Sequence, residues 1–242
     1  MKFILQRGTA ALVVTLGLTT GVLSLSVWAQ REEMLDNVLK LTGHLLVQPV
    51  GSPFNDWMPI ADRISKVQGV RLVVPVVEGQ ALIFSPTGDS SVMIRGIRAT
   101  DLSKLPLVID HPQLGTLEGF DESQGVAIGS KLADRLSLRA GDNVTLLAPG
   151  SAATGTALRI KSYRVTAVFE SGASEFADIF VFMPLTEAQS YFNQAGNVTA
   201  IEVHIAEADK IDALRQSIID AAGRPIVLTD WRQRNATPLN TK

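Results

Sequence analysis

The chain has 242 residues, with 22 Lys and Arg against 24 Asp and Glu, and it contains no cysteine. A formal net charge of −2 lacks the basic excess that a phosphate backbone requires, so no nucleic-acid partner is expected. The absence of cysteine excludes disulfides, a thiolate nucleophile, sulfur ligands for a metal and a site for lipoprotein acylation. The length leaves room for one large domain or two small ones.

An apolar segment near the amino terminus predicts a membrane-spanning helix. Residues 9–29 form a run of about 21 uncharged residues, which as a helix extends about 32 Å and matches the ~30 Å hydrocarbon core of a bilayer. Lys2 and Arg7 precede this segment, so the positive-inside bias favours a cytoplasmic amino terminus. Gly17 and Gly21 form a G-x-x-x-G spacing, which predicts a surface for packing against another membrane helix.

A cleaved signal peptide is the alternative interpretation of this segment. Val27 and Ala29 supply the small residues that a signal peptidase accepts. The apolar run is longer than the apolar region of a signal peptide, and apolar residues continue at helical spacing beyond it. A retained anchor is therefore favoured, with residues 1–8 in the cytoplasm, the membrane helix over 9–29 and a helical extension over 30–43.

The segment after the anchor has the pattern of a β-α-β unit followed by a hairpin. A short strand is predicted over 44–49 and an amphipathic helix over 57–67, which Gly69 ends. An apolar strand follows over 70–77. Two more strands, 80–84 and 91–97, flank a Thr-Gly-Asp turn.

The end of the chain repeats this pattern. An alternating strand over 198–205, an amphipathic helix over 208–222 that Gly223 caps and a strand over 224–228 form a second β-α-β unit. Two such units indicate a ferredoxin-like, split β-α-β layer, interrupted by an insertion of roughly 95 residues.

The insertion is predicted to be mostly β. Its elements are strands and short helices over residues 124–129, 130–136, 144–148, 163–170, 179–183 and 186–192. The predicted fold class is thus α+β, with one subdomain built from 44–98 and 197–230 and a second one, 99–196, inserted into it.

No motif for catalysis or phosphate binding occurs in the sequence. The chain has no G-x-x-x-x-G-K-[ST], no G-x-S-x-G and no H-E-x-x-H. His44, His111 and His204 are scattered, and each is interpreted as structural or exposed rather than as a ligand. The sequence therefore predicts neither an enzyme nor a bound cofactor or metal.

A stretch of small and polar residues over 149–157 lies between two predicted strands, and Arg159 and Lys161 follow it. A long hairpin tip that packing does not need is often a binding loop. A flexible tip without a partner is the alternative that the composition leaves open.

Several short motifs follow one another in a recognisable order. They include Ile-Gly-Ser-Lys-Leu-Ala at 128–133, Leu-Arg-Ala-Gly-Asp-Asn-Val at 138–144 and Trp-Arg-Gln-Arg-Asn at 231–235, with residues 92–97 and 170–178 in agreement. Together they resemble the extracytoplasmic domain of LolC/LolE-type permeases, subunits of the ABC transporter that releases lipoproteins from the bacterial inner membrane. The resemblance covers nearly the whole chain.

The resemblance implies a particular architecture and a binding site. In this family a ferredoxin-like porter subdomain carries an inserted, mostly-β sabre subdomain, and a hairpin hook on the sabre captures the periplasmic carrier LolA. Gly155, Arg159 and Lys161 match hook positions, whereas Leu158 stands where the family usually has proline. These four residues are the candidate partner-binding site.

The resemblance also implies partners and a location. The expected partners are a LolD-like ATPase subunit that binds the ATP, a second permease copy or paralogue, a LolA-like carrier and the lipoprotein cargo. The expected location is the inner membrane, with most of the chain in the periplasm. Residues 231–242 would lead into a second membrane helix, so the chain is interpreted as truncated before it.

Two other functions stay open on the sequence alone. A MacB-type or FtsX-like mechanotransmission domain shares this topology but serves other cargo or signals. A single-span periplasmic binding module would be complete without further membrane helices.

Overall fold

The structure is a computed structural model, and it describes residues 39, 42–106, 119–122, 124–150, 158–169, 179–194 and 196–235. The strands in these parts are β1 (Leu45–Pro49), β2 (Val70–Ser85), β3 (Gly88–Ile97), β4 (Gly125–Gly129), β5 (Asn143–Ala148), β6 (Arg159–Phe169), β7 (Phe180–Pro184), β8 (Ala200–Ile205) and β9 (Ile226–Asp230). The α-helices are α1 (Trp57–Ser65), α2 (Ala99–Leu102), α3 (Ser130–Arg135), α4 (Leu185–Tyr191), α5 (Ile211–Ala222) and α6 (Trp231–Asn235).

Four strands from the two ends of the domain form an antiparallel sheet in the order β2-β8-β1-β9. α1 connects β1 to β2, α5 connects β8 to β9, and the two helices contact each other. Ile60, Ile64 and Ile218 from these helices share a buried core with Leu45 and Val203 from the sheet. The two β-α-β units expected from the sequence are therefore present and interleave in one sheet.

Six strands close into a barrel. Backbone pairing runs β2-β3-β7-β4-β6-β5 and returns to β2, so the described strands form a continuous ring. Two pairs, β3 with β7 and β4 with β6, are parallel, and the others are antiparallel. Buried residues alternate with more exposed ones along the barrel part of β2 and along β5 and β6, as in a barrel wall that faces solvent, whereas β4 and β7 are buried throughout. The barrel strands contribute these fully buried side chains: Ile83, Ile94, Ile128, Val144, Leu146, Tyr163, Val165 and Val181.

Strand β2 belongs to both the sheet and the barrel. Its first half pairs with β8 from Val70 to Val76, and its second half pairs with β3 from Val77 to Ser85. The prediction of two strands, 70–77 and 80–84, is therefore wrong. Gly79, which looks like a chain-breaking residue, stays in the ladder opposite Ile94, and the ring of Phe192 packs where a side chain at Gly79 would lie.

Two other strand boundaries differ from the sequence-based ones. β6 begins at Arg159 rather than at Tyr163, because its first residues pair with the end of β5. β9 occupies 226–230 rather than 224–228. Gly223 has the left-handed φ of +66° that ends α5, and Pro225, which has no amide hydrogen, lies in the connection that follows.

The predicted membrane helix at 9–29, with Gly17 and Gly21, lies outside the described residues. Within the described ranges, no helix combines the length and the apolar character needed to cross a membrane.

A close contact between α4 and β3 depends on Gly96. A Cβ atom built on Gly96 would lie 2.1 Å from the Cβ of Ala188, far inside van der Waals contact. Ala188 is fully buried, and Gly96 pairs with Val77 on one side and with Met183 on the other. Neither β3 nor α4 can therefore move away without disrupting these contacts.

Replacing Gly96 with alanine should therefore destabilise the domain. We expect Gly96→Ala to lower the free energy of unfolding by about 2 kcal/mol through overpacking, measured by urea denaturation of the full chain. Gly88→Ala is the matched control, because its Cβ would lie 3.8 Å from Leu136, and it should change stability by less than about 0.5 kcal/mol. Equal stability of the two variants would contradict this packing.

Candidate functional site

The candidate hook residues lie at the base of the β5-β6 hairpin. β5 and β6 pair from Asn143 opposite Arg164 to Ala148 opposite Arg159, so Leu158 and Arg159 lie at the end of the paired part of the hairpin. Gly155 lies outside the described residues. Leu158 and Ile160 are 60% and 63% exposed, which is unusual for large apolar side chains.

A row of apolar side chains crosses the outer face of the barrel beside this hairpin. Leu82, Leu147 and Ile160 are direct neighbours on the adjacent strands β2, β5 and β6. Next to the row is a surface groove with a volume of about 390 Å³. We call it the outer groove; its lining comprises Gln80, Ala81, Leu82, Ser91, Val92, Met93, Leu147, Pro149 and Ile179. The hairpin base thus combines exposed apolar side chains with a mostly apolar groove.

Arg159 braces the hairpin across its two strands. Its Nη1 donates a hydrogen bond to the carbonyl oxygen of Pro149 at 3.1 Å. Its own carbonyl oxygen accepts a hydrogen bond from the Tyr191 hydroxyl at 3.2 Å. The guanidinium therefore stays at the root of the hairpin, on the same end of the barrel as Leu158.

Lys161, the other cationic candidate, is engaged with α4. Its Nζ lies 2.8 Å from Oε1 of Glu187, and the Tyr163 hydroxyl donates to the same oxygen at 2.7 Å. Burial, followed by the Glu187 contact, raises the pKa of Tyr163, which stays protonated. Lys161 thus pairs with Glu187 and joins β6 to α4, while its side chain stays 40% exposed.

A buried charge cluster lies between the barrel and the four-stranded sheet. Arg95 on β3 and Glu202 on β8 have no exposed side-chain surface, and Nη2 of Arg95 contacts Oε2 of Glu202. Nε of Arg95 lies 3.3 Å from a carboxylate oxygen of Glu78. The guanidinium also lies 5.3 Å and 5.7 Å from the ring centres of Phe180 and Phe182, a cation-π arrangement.

Burial shifts the acid-base behaviour of this cluster. It raises the pKa of Glu202 to about 7, against the opposing attraction of Arg95 and Arg234. It lowers the pKa of the neighbouring His204 to about 3, so that histidine is neutral at physiological pH. Among the described residues, Oε1 of Glu202 and Nε2 of His204 have no hydrogen-bond partner.

Arg95 and Glu202 were not predicted as site residues, although the sequence contains a signal for them. Each is a charged residue flanked by apolar ones in a strand, and such residues are rarely buried without a charged partner. His204 was expected to be structural or exposed, and it is buried. In the described ranges, no three acidic or histidine side chains gather in a way that would hold a metal ion.

Comparison with known proteins identifies the family. The family model for the MacB-like periplasmic core domain matches residues 7–221, which is most of the chain. The chain belongs to this family.

Curated relatives extend the match to most of the chain. The lipoprotein-releasing system transmembrane protein LolC of Xylella fastidiosa is 24% identical over 227 residues, covering 92% of the chain and 54% of that relative. LolC of Neisseria meningitidis is 23% identical, covering 97% and 57%, and LolE of Haemophilus influenzae is 20% identical, covering 92% and 55%. The chain spans about half the length of these relatives. They confirm the resemblance to LolC/LolE-type permeases that the sequence motifs indicate.

Solved structures of extracytoplasmic transporter domains are also similar to the chain. The periplasmic region of MacB from Actinobacillus actinomycetemcomitans has a TM-score of 0.48 at 14% identity, covering 87% of this chain and 99% of that one. The extracellular domain of the noncanonic ABC-type transporter YknZ has a TM-score of 0.46 at 16% identity, covering 78% and 98%.

The raised pKa of Glu202 predicts a pH dependence of stability. The folded chain binds the Glu202 proton more tightly than the unfolded chain, so this contribution is fully present below about pH 4.5 and is lost as pH rises to about 7. The shift corresponds to about 3 kcal/mol. We therefore expect the difference in the free energy of unfolding between the wild type and Glu202→Gln to decrease by about this amount between pH 4.5 and pH 7.

Urea denaturation at a series of pH values measures this difference. His204 contributes in the opposite direction, because its pKa is lower in the folded chain, but it is present in both proteins and cancels. A difference that does not change between pH 4.5 and pH 7 would contradict the raised pKa.

Proposed function

We propose that this chain supplies a membrane helix and the periplasmic domain of a permease subunit in an ABC transporter that releases lipoproteins from the inner membrane. The observation that carries this proposal is the similarity to LolC and LolE proteins over more than nine tenths of the chain, together with the MacB-like periplasmic core domain. The proposed location is the inner membrane, anchored through residues 9–29, with Gly17 and Gly21 packing against another membrane helix.

The proposed architecture is a ferredoxin-like porter subdomain with an inserted β-rich sabre subdomain. The strand order β2-β8-β1-β9, with α1 and α5 as the two crossovers, supports the ferredoxin-like assignment. The closed barrel is the proposed sabre. The pairing of β3 with β7 supports counting residues 77–97 with the barrel rather than with the four-stranded sheet.

The proposed role of the chain is to receive cargo and transmit movement rather than to catalyse a reaction. A LolD-like ATPase subunit would bind and hydrolyse ATP, and a second permease copy or paralogue would complete the membrane part. The lipoprotein would pass to a LolA-like periplasmic carrier.

The β5-β6 hairpin is the proposed docking site for the carrier. Its support is the exposure of Leu158 and Ile160, the adjacent outer groove and the hydrogen bond from Arg159 to Pro149 across the two strands. Exposed apolar side chains can enter a partner's groove without a pocket of their own. Lys161 would act indirectly, by holding β6 against Glu187.

The proposal predicts release activity for a transporter that contains this chain. Proteoliposomes with the transporter, its ATPase subunit and a radiolabelled lipoprotein should transfer the lipoprotein to soluble carrier only when ATP is supplied. An ATPase variant that cannot hydrolyse ATP is the control. Normal ATP hydrolysis without any transfer would contradict lipoprotein release and favour a MacB-like or FtsX-like role.

Hairpin substitutions should weaken carrier capture without unfolding the domain. We expect Arg159→Glu, which reverses the charge at the hairpin base, and Ile160→Glu, which removes an exposed apolar contact, each to reduce crosslinking to the carrier about tenfold. A tenfold loss corresponds to about 1.4 kcal/mol of binding free energy.

Met58→Glu is the matched control for the hairpin variants. Met58 is 62% exposed, like Ile160, but lies on α1 beside the four-stranded sheet. It should leave crosslinking unchanged. Urea denaturation verifies that all three variants are folded. Unchanged crosslinking of Arg159→Glu and Ile160→Glu would remove these residues from the docking site.

A further inference from the structure

The buried charge cluster connects the barrel to the place where the described domain begins and ends. Leu45 at the start of β1 pairs with Asp230 at the end of β9, so the two ends lie side by side. The amide of Trp231 donates to the carbonyl oxygen of His44 at 3.0 Å. A movement applied at either end of the described domain therefore acts first on the same place, where β1 pairs with β9.

Arg234 joins these ends through a side chain. Its Nη2 donates hydrogen bonds to the carbonyl oxygens of Thr42 at 3.2 Å and Gly43 at 2.8 Å. Arg234 is half-buried, and the charges of Glu202 and Glu78 favour its charged form against the burial that lowers its pKa. The side chain thus ties α6 to the segment before β1.

Gly43 lies directly against the buried carboxylate strand. A Cβ atom built on Gly43 would lie 3.3 Å from the Cβ of Glu202 and 3.4 Å from the ring of His204. Gly43 also has a left-handed φ of +66°, which a larger residue would adopt only with strain. The backbone of Gly43, which Arg234 binds, therefore packs close to Glu202, and Glu202 contacts Arg95 on the barrel.

The chemistry of the last contact distinguishes it from the apolar packing around it. Phe180 and Phe182 of the barrel share a buried cluster with Val74 and Ala200 of the sheet, and such apolar contacts have little directional preference. Arg95 reaches two carboxylates through different nitrogens, Glu202 through Nη2 and Glu78 through Nε, and the buried carboxylate of Glu202 loses its compensation if Arg95 moves away. This contact can fix an orientation that apolar packing alone would not.

We propose that Arg95 is a positioning residue, which holds the barrel in a defined orientation relative to the paired ends of β1 and β9 through its contact with Glu202. The inference rests on the proposed function only for its consequence, which is that movement at these strand ends is transmitted to the carrier-docking hairpin. The orientation itself can be measured without carrier, cargo or ATPase.

Distance measurements on the full chain test the orientation. The sequence has no cysteine, so Asp134→Cys on the barrel helix α3 and Ser217→Cys on α5, both exposed, can carry two spin labels in lipid nanodiscs. We expect a narrow distribution of distances in the otherwise wild-type chain. Arg95→Met/Glu202→Leu, which replaces the ion pair by apolar side chains, should broaden this distribution at least twofold while the thermal midpoint is kept.

A matched double substitution controls for the loss of an ion pair in general. Arg224 and Asp56 form a 2.7 Å ion pair between the connection that precedes β9 and the one that precedes α1, so it joins two parts of the four-stranded sheet unit rather than the sheet and the barrel. Arg224→Met/Asp56→Leu should leave the distribution narrow. A narrow distribution in Arg95→Met/Glu202→Leu would overturn the proposal.

Arg95→Lys decides the question if the double variant does not fold. Lysine keeps the charge, but its single nitrogen cannot meet Glu202 and Glu78 as Nη2 and Nε of Arg95 do, so the chain should fold with a broadened distribution. A folded Arg95→Lys chain with the wild-type distribution would overturn the proposal.

Lipoprotein transfer then separates this inference from the proposed function. In the release assay, Arg95→Met/Glu202→Leu, or Arg95→Lys if the double variant does not fold, should reduce transfer at least tenfold, whereas Arg224→Met/Asp56→Leu should not. If the wild type and the Arg95 variant transfer lipoprotein equally well, the inference that movement is transmitted through Arg95 is wrong, while the measured orientation stands. An absence of wild-type transfer would contradict the proposed function and leave the measured orientation intact.

Discussion

The structure depends on one strand that serves two sheets. β2 supplies its first half to the four-stranded sheet through β8 and its second half to the barrel through β3 and β5. Because side chains alternate between the two faces of a strand, a shift of one residue anywhere along β2 would reverse its buried face in both places. The registers of the sheet and the barrel are therefore not independent, because fixing the register of β2 in one of them fixes it in the other.

The buried charge cluster between the barrel and the sheet and the ion pair beside the hairpin differ in how far they are removed from solvent. Arg95 and Glu202 have lost their solvent, so their mutual contact, Glu78 and the aromatic rings must offset a large desolvation cost. Lys161 is about two fifths exposed and pairs with Glu187 at a much lower cost. The first arrangement suits a fixed orientation. The second suits a brace that supports an exposed hairpin.

Local patterns in the sequence predicted the elements well and their long-range pairing poorly. Helices α1 and α5 and strands β1 and β8 have clear periodicity, and each was found within a few residues of its expected position. The continuity of β2 was missed because Gly79 looks like a break, while a neighbouring ring fills its missing side-chain space. Barrel closure needs parallel pairing between strands distant in sequence, for which no local signal exists.

The same limit applies to the candidate site. The loop composition placed Arg159 just after the hairpin tip, but the strand was expected to begin only at Tyr163, so the pairing of Arg159 with Ala148 was missed. The pairing of Lys161 with Glu187 was missed as well, since it depends on where α4 packs. The partnership of Arg95 with Glu202 spans two distant strands, and only their unusual charge in apolar surroundings hinted at it.

The position of β1 in the sheet affects how the chain can fold during synthesis. Leu45 emerges from the ribosome early, yet its partners are Val203 on one side and Asp230 on the other. Until nearly the whole domain has been translated, an apolar strand is left with two unsatisfied edges, a condition that favours aggregation and slow folding. Biogenesis of this domain should therefore depend on protection of the nascent segment around β1 until β9 has been translocated.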